Sequence, residues 1–158
     1  MRLIKIFVRL LLVSFSLNSF GEFKAEPTDI VGFWLSENKK GVVEIYPKGD
    51  AFEGKIVWVK DIYEGKADVK FDIHNPDKSK RKQPLIGLVN LKNFKFDGRE
   101  WSGGTIYDPQ KGKTYKAFMR LSKKDTMKLR GFIGISLFGR TEVWSRQKSA
   151  TPDSYEKN

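Results

Sequence analysis

The sequence of 158 residues contains no cysteine and a single histidine, His74. Without cysteine there is no disulfide framework, no thiolate nucleophile, no sulfur-ligated zinc or iron–sulfur site and no lipoprotein-type acylation. One histidine alone offers little to a transition metal, so no metal site and no cofactor is expected. Also missing is any apolar run of the roughly 20 residues that cross a bilayer as a helix. Acidic residues are in the minority, 19 against 30 Lys plus Arg, for a formal charge of +11. What is present is a 39% hydrophobic and 13% aromatic composition, too rich for a disordered chain, with 31% charge, too much for a polytopic membrane protein. The length fits one globular domain.

The first residues read as an address. Arg2, Lys5 and Arg9 precede Leu10, Leu11, Leu12, Val13, Phe15 and Leu17, and Ser19 and Gly21 are small residues at the two positions a signal peptidase reads. The expectation is a signal peptide over 1–21, a single domain over 22–147 and a polar, flexible tail over 148–158 that includes Pro152. The eight residues between Arg9 and Asn18 are too few for an uncleaved anchor. The processed protein is therefore expected to be periplasmic or secreted and not integral to a membrane. Cleavage removes three positive charges and no negative ones, leaving 27 basic and 19 acidic side chains and a charge of +8. Outside the cytoplasm that excess meets lipid headgroups, envelope glycans or acidic partners rather than nucleic acid. The densest run, Lys78, Lys80, Arg81 and Lys82 beside Pro84, reads as a solvated loop.

The remainder is a series of short strands with apolar and polar residues alternating at period two. Phe52, Gly54, Ile56 and Trp58 fall on one face of the stretch 52–59, with Glu53, Lys55, Val57 and Val59 on the other. Tyr115, Ala117, Met119 and Leu121 alternate in 113–121, and Met127, Leu129, Gly131 and Ile133 in 127–133. Further strands are expected over 30–36, 42–46, 85–92, 100–107 and 140–146. Turn chemistry separates them at Pro47-Lys48-Gly49-Asp50, Asp97-Gly98, Asp108-Pro109-Gln110-Lys111-Gly112 and 122–125. The fold class is all-β. Eight antiparallel strands with short connections close into an up-and-down barrel with an interior wide enough for side chains or one small ligand; a two-sheet sandwich is the alternative that the same pattern allows. Gly103 and Gly104 mark a bulge that leaves the inward face of 101–107 open.

One stretch breaks the rhythm. Residues 60–84 are rich in Asp, Lys and Gly and contain His74-Asn75-Pro76-Asp77, which reads first as a turn and second as an acid–base site. An irregular segment of that length is functional or mobile when it occurs in a compact domain, and a lid over a barrel mouth is the functional version.

Several segments occur in an order that resembles a known family: Gly32-Phe33-Trp34, Val43-Glu44-Ile45-Tyr46, Gly54-Lys55-Ile56-Val57-Trp58, Asn75-Pro76-Asp77, Pro84-Leu85-Ile86-Gly87-Leu88, Trp101-Ser102-Gly103-Gly104-Thr105-Ile106-Tyr107-Asp108-Pro109, Gly112-Lys113-Thr114-Tyr115, Leu129-Arg130-Gly131-Phe132-Ile133-Gly134-Ile135 and Gly139-Arg140. The set, from about Ile30 to Arg146, is similar to a widespread family of small exported bacterial proteins classed as a domain of unknown function, some of them described as lipocalin-like. The resemblance implies an eight-stranded, calycin-type barrel and, by analogy with lipocalins, a small-molecule pocket; it supplies no substrate or catalytic residue. It also implies barrel closure by Gly32 and Trp34, with a late basic residue, Arg140 or Arg146, stacked on the indole, a contact worth about 0.5 to 2 kcal/mol. Many members carry cysteines near the second and third strands, where this chain has Lys48 and Glu53.

The candidate ligand-binding residues are those of the presumed inner faces: Ile56, Trp58, Tyr107, Tyr115, Ala117, Met119, Met127 and Leu129, with Arg130 or Arg140 to meet a headgroup. Three functional readings follow. The first is an exported lipocalin-like binding protein for a small, largely apolar or amphipathic molecule such as a fatty acid or lipid fragment. The second is a filled barrel whose basic surface binds an anionic envelope lipid, glycan or protein. The third is a hydrolase-like enzyme using Tyr107, Asp108 and His74, for which no nucleophile-elbow pattern surrounds any serine.

Overall fold

The structure, a computed structural model, describes residues 23–156; the expected signal segment 1–21 lies outside the described residues. Eight antiparallel strands run in sequence order around a closed barrel: β1 (Gly32–Leu35), β2 (Gly41–Lys48), β3 (Ala51–Val59), β4 (Val89–Phe96), β5 (Trp101–Asp108), β6 (Lys113–Lys123), β7 (Thr126–Phe132) and β8 (Gly139–Gln147). The pairs Phe33–Gln147, Trp34–Arg146 and Leu35–Ser145 join β8 to β1 and rule out an open sandwich. One four-residue helix, α1 (Lys60–Tyr63), and short 3₁₀ turns complete the described residues.

The end of the barrel that receives the N-terminus is packed solid. A 3₁₀ turn, Pro27–Ile30, plugs it with a fully buried Ile30. Trp34 and Trp101, both without exposed surface, fix the plug by donating from Nε1 to Ile30 O (2.8 Å) and Pro27 O (3.0 Å). Phe94, Met119 and Met127 fill the space above them. Burying aromatic rings of this size removes roughly 150 to 250 Å² apiece from water. The Arg146 guanidinium sits 4.3 Å from the Trp34 ring centroid. It donates to the carbonyls of Val31 (2.8 Å), Asp29 and Lys124 (3.1 Å). Arg146, not Arg140, is therefore the residue that closes the floor over Trp34. Burial draws its pKa down from the usual arginine value, opposed by Asp125 and Asp29. A side chain at Gly32, where φ is +129°, would strike the same guanidinium.

Three departures from simple alternation shape the other end. In β3 the register slips between Val42 and Val43, so Ile56 opposes Val43 while Trp58 opposes Val42. Val57 is the extra residue of this bulge. Beyond it the faces exchange, which sends Trp58 to the outer wall and turns Val59 toward the core. In β5 the register slips between Trp101 and Gly104, with Gly103 at φ +74°, and the inward residues become Trp101, Gly104 and Ile106. The strand expected over 85–92 lies four residues later: Pro84 and Gly87 (φ +90°) keep Leu85–Leu88 as a loop that bonds to Ile56 through both of its peptide groups.

On the outer wall Trp58 joins Leu35 and Val42 in a second, smaller cluster. Residues 148–156, read from sequence as a loose tail, fold back over it. Pro152 is buried, and the Tyr155 ring lies 5.2 Å from Trp58 and 5.3 Å from Tyr63. The Tyr155 hydroxyl donates to Glu64 (3.0 Å), and its carbonyl accepts from Tyr63 (3.1 Å). A single aromatic in a polar segment anchors it. Where the resembled family often has cysteines, Lys48 and Glu53 form an ion pair of 2.9 Å.

Candidate functional site

Above the packed floor the barrel is hollow, with a cavity of about 870 Å³ that opens between the loops opposite the N-terminal plug. The filled-barrel expectation does not describe this interior. Val43, Ile56, Ile106, Leu129 and Trp144 form its apolar wall, and Gly131 contributes bare backbone. The small residue is what leaves the room. A Cβ built on Gly131 would meet nothing nearer than Ile106 Cγ2 at 3.5 Å.

Asn90 puts a polar group into this wall. Gly54 pairs with Leu91 while Lys55 pairs with Val89, so Asn90 is an extra residue on β4, and the bulge turns its side chain inward beside the fully buried Leu91. It lines the cavity, is itself buried, and its Oδ1 has no hydrogen-bond partner in the protein. A buried amide oxygen without a partner costs about 1 to 3 kcal/mol. The assignment of oxygen and nitrogen in a carboxamide follows its surroundings, so Asn90 can accept from a hydroxyl or, turned over, donate to a carboxylate.

The connection 60–88 lies across part of the mouth, and Asp61, Lys70, Phe71, Ile73 and His74 from it line the opening. It is pinned from below. Asp72, fully buried, accepts from the Tyr107 hydroxyl (2.7 Å) and from Asn75 Nδ2 (2.6 Å). Burial and the adjacent Asp72 carboxylate hold the Tyr107 phenol well above the ordinary tyrosine range. The β5–β6 turn clamps the same segment: Gly112, at φ +62°, presses so close to the His74 carbonyl that any Cβ there would collide with it.

Of the ligand-binding residues expected from sequence, Ile56, Tyr107, Tyr115, Leu129 and Arg140 are brought together around the cavity. Ala117, Met119 and Met127 face inward but belong to the packed core and do not line it. Trp58 is outside the barrel because the bulge at Val57 exchanges the faces of β3. Arg130 is also outside, where it donates to the carbonyls of Ser136 (2.8 Å) and Leu137 (3.1 Å) and to Thr141 Oγ1 (2.8 Å). Arg140 stands at the rim between Glu37 and Glu142, 3.9 and 3.8 Å away. The closure set Gly32, Trp34 and Arg146 lies at the opposite end.

His74, Tyr107 and Asp108, the residues of the hydrolase reading, all line the cavity, but Tyr107 and Asp108 are engaged elsewhere. Tyr107 is bonded to Asp72, whereas Asp108 accepts from the Gln110 N–H (2.9 Å) and shapes the hairpin turn. His74 is exposed at the mouth. Asn75 accepts from the Asp77 N–H (2.9 Å), and Asp77 in turn from the Ser79 N–H (3.0 Å), which makes that motif a turn. Among the described residues no group of three or more His, Asp or Glu side chains is placed to hold a metal ion, and no helix is long and apolar enough to cross a membrane. Sequence reasoning missed Asn90 and Asp72. Asn90 is re-aimed by a bulge without glycine, and Asp72, although Asn75 bonds it locally, is tied to the barrel by Tyr107 on a distant strand.

No curated protein matches the chain. A solved structure of a Helicobacter pylori protein, described as belonging to the lipocalin family, superposes with a TM-score of 0.67 at 21% sequence identity, across 80% of this chain and 86% of that one. At that identity the likeness shows the fold, a lipocalin-like barrel. Residues 32–146 match the family DUF2147, described as an uncharacterized protein conserved in bacteria, and the chain belongs to that family.

Proposed function

We propose that this protein, exported by its N-terminal segment, is a carrier that holds one small and largely apolar molecule with a single polar group, a fatty acid or lipid fragment, in the barrel cavity. The observation that carries the reading is the unpartnered Asn90 carboxamide beside the apolar side chains of Val43, Ile56, Ile106 and Leu129 in an 870 Å³ cavity whose other polar groups include Glu142, Tyr107 and Tyr115. Binding pockets of roughly 300 to 1,000 Å³ combine this kind of wall with a few convergent polar groups. The ligand's tail replaces water against Val43, Ile56 and Leu129, and its polar end meets Asn90.

The test uses Asn90→Leu. Removing an unsatisfied buried amide should leave the empty protein as stable or more stable in urea, by up to about 1 to 3 kcal/mol. The same change should weaken displacement of a fluorescent fatty acid roughly tenfold, the loss of one good hydrogen bond. Solvent extraction of the wild-type protein from its native compartment, followed by mass spectrometry, should release a lipid-like molecule. A protein that is always empty, and a variant that binds as well as the wild type, would defeat the proposal.

A further inference from the structure

The loops at the two ends of the barrel differ in charge and in polarity. The four that surround the cavity mouth, residues 36–40, 60–88, 109–112 and 133–138, hold ten Lys or Arg and six Asp or Glu. The three at the floor, residues 49–50, 97–100 and 124–125, hold two and four. Among the mouth loops only 133–138, Ile133-Gly134-Ile135-Ser136-Leu137-Phe138, has no charge at all, and it presents its side chains to solvent: Ile135 is 61% exposed, Leu137 74% and Phe138 76%. Phe71 and Ile73, from the segment across the mouth, are exposed beside the same opening. Single exposed apolar residues are ordinary, but a contiguous group at the rim of a cavity marks an interaction site.

The tip is held in shape. Arg130 reaches from the outer face of β7 to the carbonyls of Ser136 and Leu137, and a short 3₁₀ turn, Ser136–Phe138, fixes the direction of Leu137 and Phe138. Those guanidinium bonds fix the apolar side chains outward at no cost in later ordering. An apolar tip surrounded by loops with an excess of cations matches one kind of surface in both respects, a bilayer with anionic headgroups over hydrocarbon.

We propose that the barrel docks mouth-down on an anionic lipid membrane, with the 133–138 loop inserted among the acyl chains and the basic mouth loops on the headgroups. The purpose of the docking rests on the apolar-ligand reading, because it sets the cavity opening against the phase in which such a ligand is dissolved. The docking itself does not require a ligand.

The experiment uses a chain beginning at residue 22, the expected product of signal cleavage, which contains all eight strands of the closed barrel. It should float with vesicles of phosphatidylcholine mixed with phosphatidylglycerol, bind vesicles of phosphatidylcholine alone roughly tenfold less, and detach as salt rises. Ile135→Asp/Leu137→Asp, two exposed positions that do not line the cavity, should lower binding to the mixed vesicles at least about tenfold. The double variant should keep the wild-type urea midpoint and fatty acid affinity. Undiminished vesicle binding by the double variant, or none by the parent chain, overturns the proposal. So does a concentration-dependent dimer in sedimentation that the double variant abolishes, which would assign the patch to a second copy of the chain. Failure of the parent chain to bind fatty acid while it still binds vesicles would overturn the carrier reading and leave the docking intact.

Discussion

Two glycines of the inner wall show how much depends on a single methyl group. A Cβ at Gly104 would lie 2.5 Å from the Phe94 ring, whereas at Gly131 it would stand 3.5 Å from Ile106 and 3.6 Å from Tyr115, ordinary contact distances. Phe94 is fully buried in the floor and has nowhere to move. Gly104→Ala should therefore lower the unfolding free energy by about 1 to 3 kcal/mol, the cost of overpacking, as a lower urea midpoint with an unchanged slope. Gly131→Leu projects into the hollow half. It should leave stability unchanged or improved, since glycine inside a strand is itself unfavourable, while reducing fatty acid binding by about tenfold or more through lost volume. If both changes had the same effect on stability, the division of the barrel into a packed floor and a hollow mouth would be wrong.

At the scale of elements the alternation of residues carried most of the information, and bulges removed the rest. Period two places Phe52, Gly54 and Ile56 on the inner face, and Val57 then hands that face to Val59 and sends Trp58 outside. The two glycines of β5 marked their bulge openly; Asn90 and Val57 did not, because a bulge needs no glycine and is set by pairing with a strand elsewhere in the chain. For the same reason the mouth segment was legible as a loop but its anchor was not: Asn75 is a local partner of Asp72, but the bond that ties the segment to the barrel comes from Tyr107, 35 residues away. Tyr107→Phe leaves a buried carboxylate with Asn75 as its remaining side-chain partner, which should cost about 1 to 3 kcal/mol at neutral pH and speed amide exchange in 60–88. The phenol's pKa is raised in the folded protein, so its stabilising effect is complete below the unfolded tyrosine value of about 10 and is lost as pH rises from there toward the folded one. The stability gap between wild type and Tyr107→Phe should accordingly hold steady from neutral pH to about 10 and shrink above it. A gap independent of alkaline pH would show that the hydroxyl is not what pins the segment.

For the whole molecule the critical feature is the seam where the last strand meets the first. β1 has four residues and meets β8 through three pairs, with Trp34 and Arg146 in the middle one. A seam that short does not hold an eight-stranded barrel closed by ladder bonds alone. Arg146 supplements it by tying three separate parts of the chain together: the N-terminal plug through Asp29 and Val31, the β6–β7 turn through Lys124, and the floor through the Trp34 ring. Lysine carries the same charge but lacks the planar fork that serves several carbonyls at once. Arg146→Lys should therefore strand buried carbonyls and cost about 2 kcal/mol or more, read as a lower urea midpoint in a transition that stays two-state by fluorescence and circular dichroism. Fatty acid affinity should be unchanged in the folded protein, because the cavity lies at the other end. A variant that retains wild-type stability would mean that the β1–β8 ladder suffices to close the barrel, and one that loses affinity at full stability would mean that floor and mouth are coupled.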